Sequence, residues 1–118
     1  MNTSPIVLSA DSIKGDKVVN RTGDDLGKIE ELMVDTQTGE VSYAVLSFGG
    51  FMGMGDKLFA VPWQSLQLDA QNKRFILDVT KEKLESAPGF DKDNWPDFAD
   101  PNFSSSVRSH YRSRSAAV

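Results

Sequence analysis

The residue types that could do chemistry are few and badly placed for it. A single histidine, His110, stands among serines and arginines near the C-terminus, and there is no cysteine. Thiolate catalysis, disulfides and cysteine-based metal sites are therefore out of reach. A histidine triad or multi-histidine metal site lacks its members. Glu30 and Glu31 are adjacent carboxylates, the raw material of acid–base work, but no partner group lies beside them. Asp35-Thr36-Gln37-Thr38-Gly39 begins like a calcium loop. It fails because Gly39 stands where a ligand belongs and the twelfth position is Leu46 rather than Glu. The glycine-rich run Gly49-Gly50-Phe51-Met52-Gly53-Met54-Gly55-Asp56-Lys57 is the one phosphate-loop lookalike. A phosphate cradle needs Gly-Lys-Ser/Thr opening a helix. Here Asp56 would repel the anion, and a strand pattern over residues 58–61 follows, running into Pro62 and Trp63. The expected catalytic residues, metal ligands and cofactors are accordingly none, and the chain reads as a non-enzyme.

What this run does offer is contact. Phe51, Met52 and Met54 are large apolar side chains on an adaptable glycine backbone, which suits a partner surface. Trp63 is expected to support them from beneath. The competing reading is a hairpin connection in which glycine serves positive φ.

The elements that must position these residues read as short strands over residues 6–8, 17–20, 28–34, 41–48, 57–63 and 73–79. Turn chemistry separates them. No gap is long enough for a crossover helix, so an all-β barrel or sandwich follows. The turns after Asp35 and Asp69 share one device, an aspartate whose carboxylate folds back on the turn. Strand alternation would point Glu31 the same way as Ile29. A bulge at Glu30–Glu31 would leave both acids wet and return Leu32 and Val34 to the core face. The expected core is Val18, Ile29, Leu32, Val34, Val45, Leu58, Val61, Phe75 and Leu77.

The strand over residues 41–48 is apolar on both faces, with Val41, Tyr43 and Val45 on one and Ala44, Leu46 and Phe48 on the other. Two-sided burial needs two covers. One is the barrel interior, and the other is the C-terminal segment or a second chain. Ala44, Leu46 and Phe48 are therefore candidate oligomer-interface residues, in a homodimer or small homo-oligomer.

Three segments emerge: a barrel over residues 1–80, a helical turn with an aromatic, acidic extension over 81–103, and a Ser/Arg-rich tail over 104–118. Thr80 reads as a helix N-cap, and Pro88-Gly89 ends that turn. Phe90, Trp95 and Phe98 are expected to pack as a clasp on the domain's own surface. The tail has the composition of a disordered arm.

The chain of 118 residues carries a net charge of −4. The charge is uneven. Residues 91–103 carry Lys92 against Asp91, Asp93, Asp97 and Asp100, whereas the tail carries Arg108, Arg112 and Arg114 and no acid. An acidic body disfavours nucleic acid, leaving that basic tail as the one phosphate-seeking feature. No targeting or membrane-spanning segment is visible, so a cytoplasmic location is expected, with peripheral membrane association left open.

Taken in order, several short motifs resemble a PRC-barrel domain. They are Ser12-Ile13-Lys14-Gly15-Asp16-Lys17-Val18-Val19-Asn20, Leu26-Gly27-Lys28-Ile29-Glu30-Glu31-Leu32, Asp35-Thr36-Gln37-Thr38-Gly39, Gly49-Gly50-Phe51-Met52-Gly53-Met54-Gly55 and Val61-Pro62-Trp63. The resemblance covers about residues 6–80. The stretch from Leu77 to Asp91, with Trp95-Pro96, is similar to stand-alone bacterial members with a short extension. The family takes its name from the cytoplasmic domain of the photosynthetic reaction centre H subunit and includes a domain of a ribosome maturation factor. The resemblance implies a small six-stranded antiparallel barrel used to bind proteins, without catalytic residues. By analogy it also raises two alternatives. One is a peripheral component or assembly factor of a membrane electron-transfer complex, and the other is an RNA- or ribosome-associated barrel using the basic tail.

Overall fold

The computed structural model describes residues 6–49 and 56–116. Its elements in order are α1 (Ala10–Ile13), β1 (Lys17–Val19), β2 (Asp25–Asp35), β3 (Glu40–Gly49) and β4 (Asp56–Pro62), then a 3₁₀ turn (Trp63–Ser65). There follow β5 (Leu66–Asp69), β6 (Arg74–Leu77), α2 (Lys81–Glu85), β7 (Gly89–Phe90) and α3 (Pro101–Ala116). The strands form one seven-stranded sheet in the order β5-β6-β1-β2-β3-β4-β7.

Four features correct the expected six-stranded antiparallel barrel. The sheet is mixed, because β1 and β6 pair in parallel, Val18 opposite Phe75. Parallel neighbours need a long connection, and the whole run from β2 to β5 supplies it. The sheet is not closed on itself, with β5 at one end and β7 at the other. The strand expected at residues 6–8 is absent. Ile6, Val7 and Leu8 are exposed, and the chain turns into α1, whose N-cap Ser9 accepts from the Ser12 N–H. Two unexpected strands bring the number to seven: β5, which pairs with β6, and β7 at Gly89–Phe90, where the sequence suggested only a helix stop and which pairs with Leu58 and Phe59.

Registers explain the burial. In β2, Ile29 faces Leu46 and Glu31 faces Val45, so Glu30 is the extra residue of a bulge. A second slip follows, with Met33 opposite Tyr43 but Val34 opposite Val41. Seven of the nine expected core residues are buried. Leu32 packs partly buried against that core. Val34 is 54% exposed, because the second slip lies between it and the core and places it at the hairpin end.

The central hairpin is buried on both faces. Tyr43 to Ser47 in β3 and Leu58 to Val61 in β4 are consecutive buried residues. One cover is the core built with the other strands, including Val18, Leu26, Ile29, Phe75 and Leu77. The other is the chain's own C-terminal segment. Tyr43 meets Phe98 at 5.6 Å and Phe103 at 6.3 Å, and its hydroxyl donates to Ser104 Oγ at 2.9 Å. Ala44 and Leu46 are fully buried within the single chain. They therefore present no surface to a second copy, which corrects their placement at an oligomer interface; Phe48 alone of that set is half-buried.

The tail is not a disordered arm but helix α3. Asp100 caps it, its carboxylate accepting from the Asn102 N–H at 2.9 Å, and Pro101 takes the first helical position. Phe103, Val107 and Tyr111, spaced four apart, form one apolar stripe, and α3 packs on β4. His110 Nε2 lies 2.8 Å from the Lys83 carbonyl oxygen, which ties α3 to α2.

Candidate functional site

The β3–β4 hairpin has two ends with different chemistry. At one end Gly49 pairs with Asp56, and residues 50–55 join them. Phe51, Met52 and Met54 lie on that connection, outside the described residues. At the other end Tyr43 pairs with Pro62, immediately before Trp63. Six residue steps of ~3.4 Å separate the two ends by roughly 20 Å. Trp63 therefore follows the hairpin end opposite Gly49 and Asp56, and its expected support of Phe51, Met52 and Met54 concerns residues outside the described set. It packs against Phe75, with ring centroids 5.7 Å apart.

The aromatic extension forms the expected clasp. Phe90 meets Trp95 at 5.2 Å and Phe98 at 6.0 Å, and Phe98 meets Phe103 at 5.2 Å. The Trp95 indole N–H donates to the Lys92 carbonyl at 2.7 Å.

A groove of about 400 Å³ opens beside Gly49, at the hairpin end from which the glycine-rich connection departs. Its walls come from β1, β2, the end of β3, and α2. Phe48 is its apolar side chain, and Lys17, Lys28 and Lys81 are its cations. Asp25 and Glu85 are its acids. The sheet register explains the cations. Lys17 stands directly opposite Lys28 across β1 and β2, and Arg74 is the next residue in the same row, on β6. Arg74 is neutralised by Asp69 at 2.9 Å. Lys17, Lys28 and Lys81 form no ion pair among the described residues.

A backbone contact shapes the groove. Leu26 and Gly27 form a bulge opposite Val18, and Gly27 has φ of +98°. A Cβ there would stand 2.1 Å from the Ser47 carbonyl oxygen. Only glycine lets β2 approach β3 this closely.

The hairpin turns hold the sheet's rim. Asp35 Oδ1 accepts from the Gln37 N–H at 2.9 Å, the fold-back expected from sequence. The Asp69 carboxylate instead accepts from the Asn72 and Arg74 side chains, which hold it below the usual carboxylate range. On α3, Arg108 is exposed; the side chains of Arg112 and Arg114 lie outside the described set. Tyr111 Oη is buried with no hydrogen-bond partner among the described residues, and burial pushes its phenol above the usual tyrosine range.

Sequence reasoning missed the lysine groove. Positions 17, 28 and 81 converge only through strand register and the return of α2, which no local pattern reports. Among the described residues there is no group of His, Asp and Glu that could hold a metal ion, and no helix long and apolar enough to cross a membrane.

One open, mixed seven-stranded sheet defines a small β domain. The PRC-barrel domain profile matches residues 5–84, and the chain belongs to that family. No curated protein matches the chain.

Proposed function

We propose that this chain is a non-enzymatic adaptor or scaffold that docks other proteins at the end of the β3–β4 hairpin. Family membership over residues 5–84 carries the reading, since this small β domain is often involved in protein interactions. The local chemistry agrees with it. The glycine-rich connection bears Phe51, Met52 and Met54, each worth about 1.5–3 kcal/mol of transfer energy if fully buried on docking. The charges beside it, Lys17, Lys28 and Asp25, are exposed and stand at its rim. A cytoplasmic location belongs to the same proposal.

Self-association remains part of the proposal in a narrower form. Tyr43 is roofed by the C-terminal segment, and Ala44 and Leu46 are sealed in the core, so a second copy meets only Phe48 of the expected set. The test is photo-crosslinking in the native cell with a photoreactive residue at position 51. Crosslinks to a second protein support docking there. Crosslinks to lipid or RNA would replace the reading with the membrane-peripheral or RNA-associated alternative, and none at all would remove it.

A further inference from the structure

We infer that the Lys17–Lys28–Lys81 groove receives an extended acidic segment of a partner protein. The inference rests on the protein-docking reading and names the chemistry of the partner.

The groove is built against local preference. Like charges placed directly opposite on neighbouring strands are destabilising, yet Lys17 and Lys28 occupy such a pair. The chain carries 17 acidic residues, enough to neutralise them. Nearby cations are answered: Lys14 pairs with Glu31 at 3.5 Å, and Arg74 with Asp69. Lys81 adds a third cation from α2. The result is a surplus of positive charge on a chain whose net charge is −4. Local rules broken without a compensating contact are most economically read as a binding site.

The remaining lining selects a polypeptide over a phosphate chain. Asp25 and Glu85 would repel successive phosphates, but they can pair with a cationic residue flanking the acids of a peptide. Phe48 offers one wall for an apolar side chain, and glycines at 15, 27 and 49 add no side chain to the lining. The volume of about 400 Å³ lies in the range of small-ligand pockets and suits a few residues of extended chain.

The test pans a displayed library of random peptides on the full chain, then measures synthetic copies of the retained sequences by fluorescence anisotropy. Retained sequences should be rich in Asp and Glu and weaken as salt rises past ~0.15 M. The K17Q/K28Q/K81Q variant should lose about tenfold or more in affinity, and E85Q should weaken the retained peptides that carry Lys or Arg beside their acids. Should the triple variant melt lower than the parent, K17R/K28R/K81R supplies the folded control and should retain binding. Neutral or basic consensus sequences would overturn the inference. So would unchanged affinity in the triple glutamine variant, or tighter binding of single-stranded RNA or anionic lipid vesicles than of any selected peptide. Peptides lost on F51S/M54S but kept by K17Q/K28Q/K81Q would also sink the groove while leaving the docking reading intact. If no peptide is retained and position 51 crosslinks to nothing, both fall.

Discussion

Replacing Gly27 by alanine tests the backbone contact that shapes the groove. Two costs combine. A non-glycine residue at φ of +98° carries left-handed strain of about 1–2 kcal/mol. The new Cβ would also lie 2.1 Å from the Ser47 carbonyl oxygen, and 3.2 Å from the Phe48 Cα, so backbone must move. Forced shifts of this kind cost about 1–3 kcal/mol. The sum is about 2–5 kcal/mol, or a fall in melting temperature of about 8–20 °C at roughly 4 °C per kcal/mol for a chain of this size. Gly15 and Gly23 are internal controls. They have φ of +93° and +89° with no atom within 4 Å of a built Cβ. Their alanine variants should bear the strain alone, about 1–2 kcal/mol. Thermal and urea melts of the three variants decide the matter. If Gly27→Ala costs no more than Gly15→Ala and Gly23→Ala, β2 does not approach β3 as described, and the groove loses its floor.

The C-terminal helix and one turn supply three further tests. Val107→Ala removes a fully buried side chain beneath α3 and should cost about 2 kcal/mol in urea unfolding; an effect near zero would mean α3 does not dock. Tyr111→Phe removes a buried hydroxyl that lacks a partner among the described residues and should leave stability unchanged or raise it by about 1 kcal/mol; a loss above that would reveal a bond to the hydroxyl. Asp69 has a depressed folded-state pKa, so its contribution is present above the unfolded value near 3.9 and is lost as pH falls through the folded one. Asp69→Asn should therefore be the less stable protein at neutral pH, with the difference closing on acidification; a difference that widens in acid would refute the assignment.

How much of this was legible in the sequence differs by element. Alternation exposed the core of β6 and the start of β2, and unbroken apolar runs exposed that of β3 and β4, because each buried position follows from its own strand. The Glu30 bulge was legible because adjacent acids interrupt an apolar face. Val34 escaped, since its exposure follows a slip that involves the partner strand. The parallel pairing of β1 with β6 left no local mark. Helix α3 did leave one: Asp100-Pro101 starts it, and Phe103, Val107 and Tyr111 stripe it. The serines and arginines between those three residues give the segment the composition of a solvated arm, which hid the stripe. The two-sided strand correctly demanded a second cover, and the chain's own Phe98, Phe103 and α3 provide it. The site was half legible. Phe51, Met52 and Met54 stand out by type as candidates, whereas the place of Trp63 after the opposite hairpin end depends on strand pairing that a linear sequence does not display. Lys17, Lys28 and Lys81 needed the fold to meet.

The central claim is that function resides in docking at the glycine-rich end of the hairpin. Its most direct test is the F51S/M54S variant, measured for partner capture from the native cell at low salt, with melting temperature and light scattering on the same sample. Docking predicts that capture falls sharply while melting temperature and oligomeric state stay nearly unchanged. A variant that melts much lower or changes its oligomeric state would show these side chains to be structural, and undiminished capture would place the partner elsewhere; either result contradicts the account.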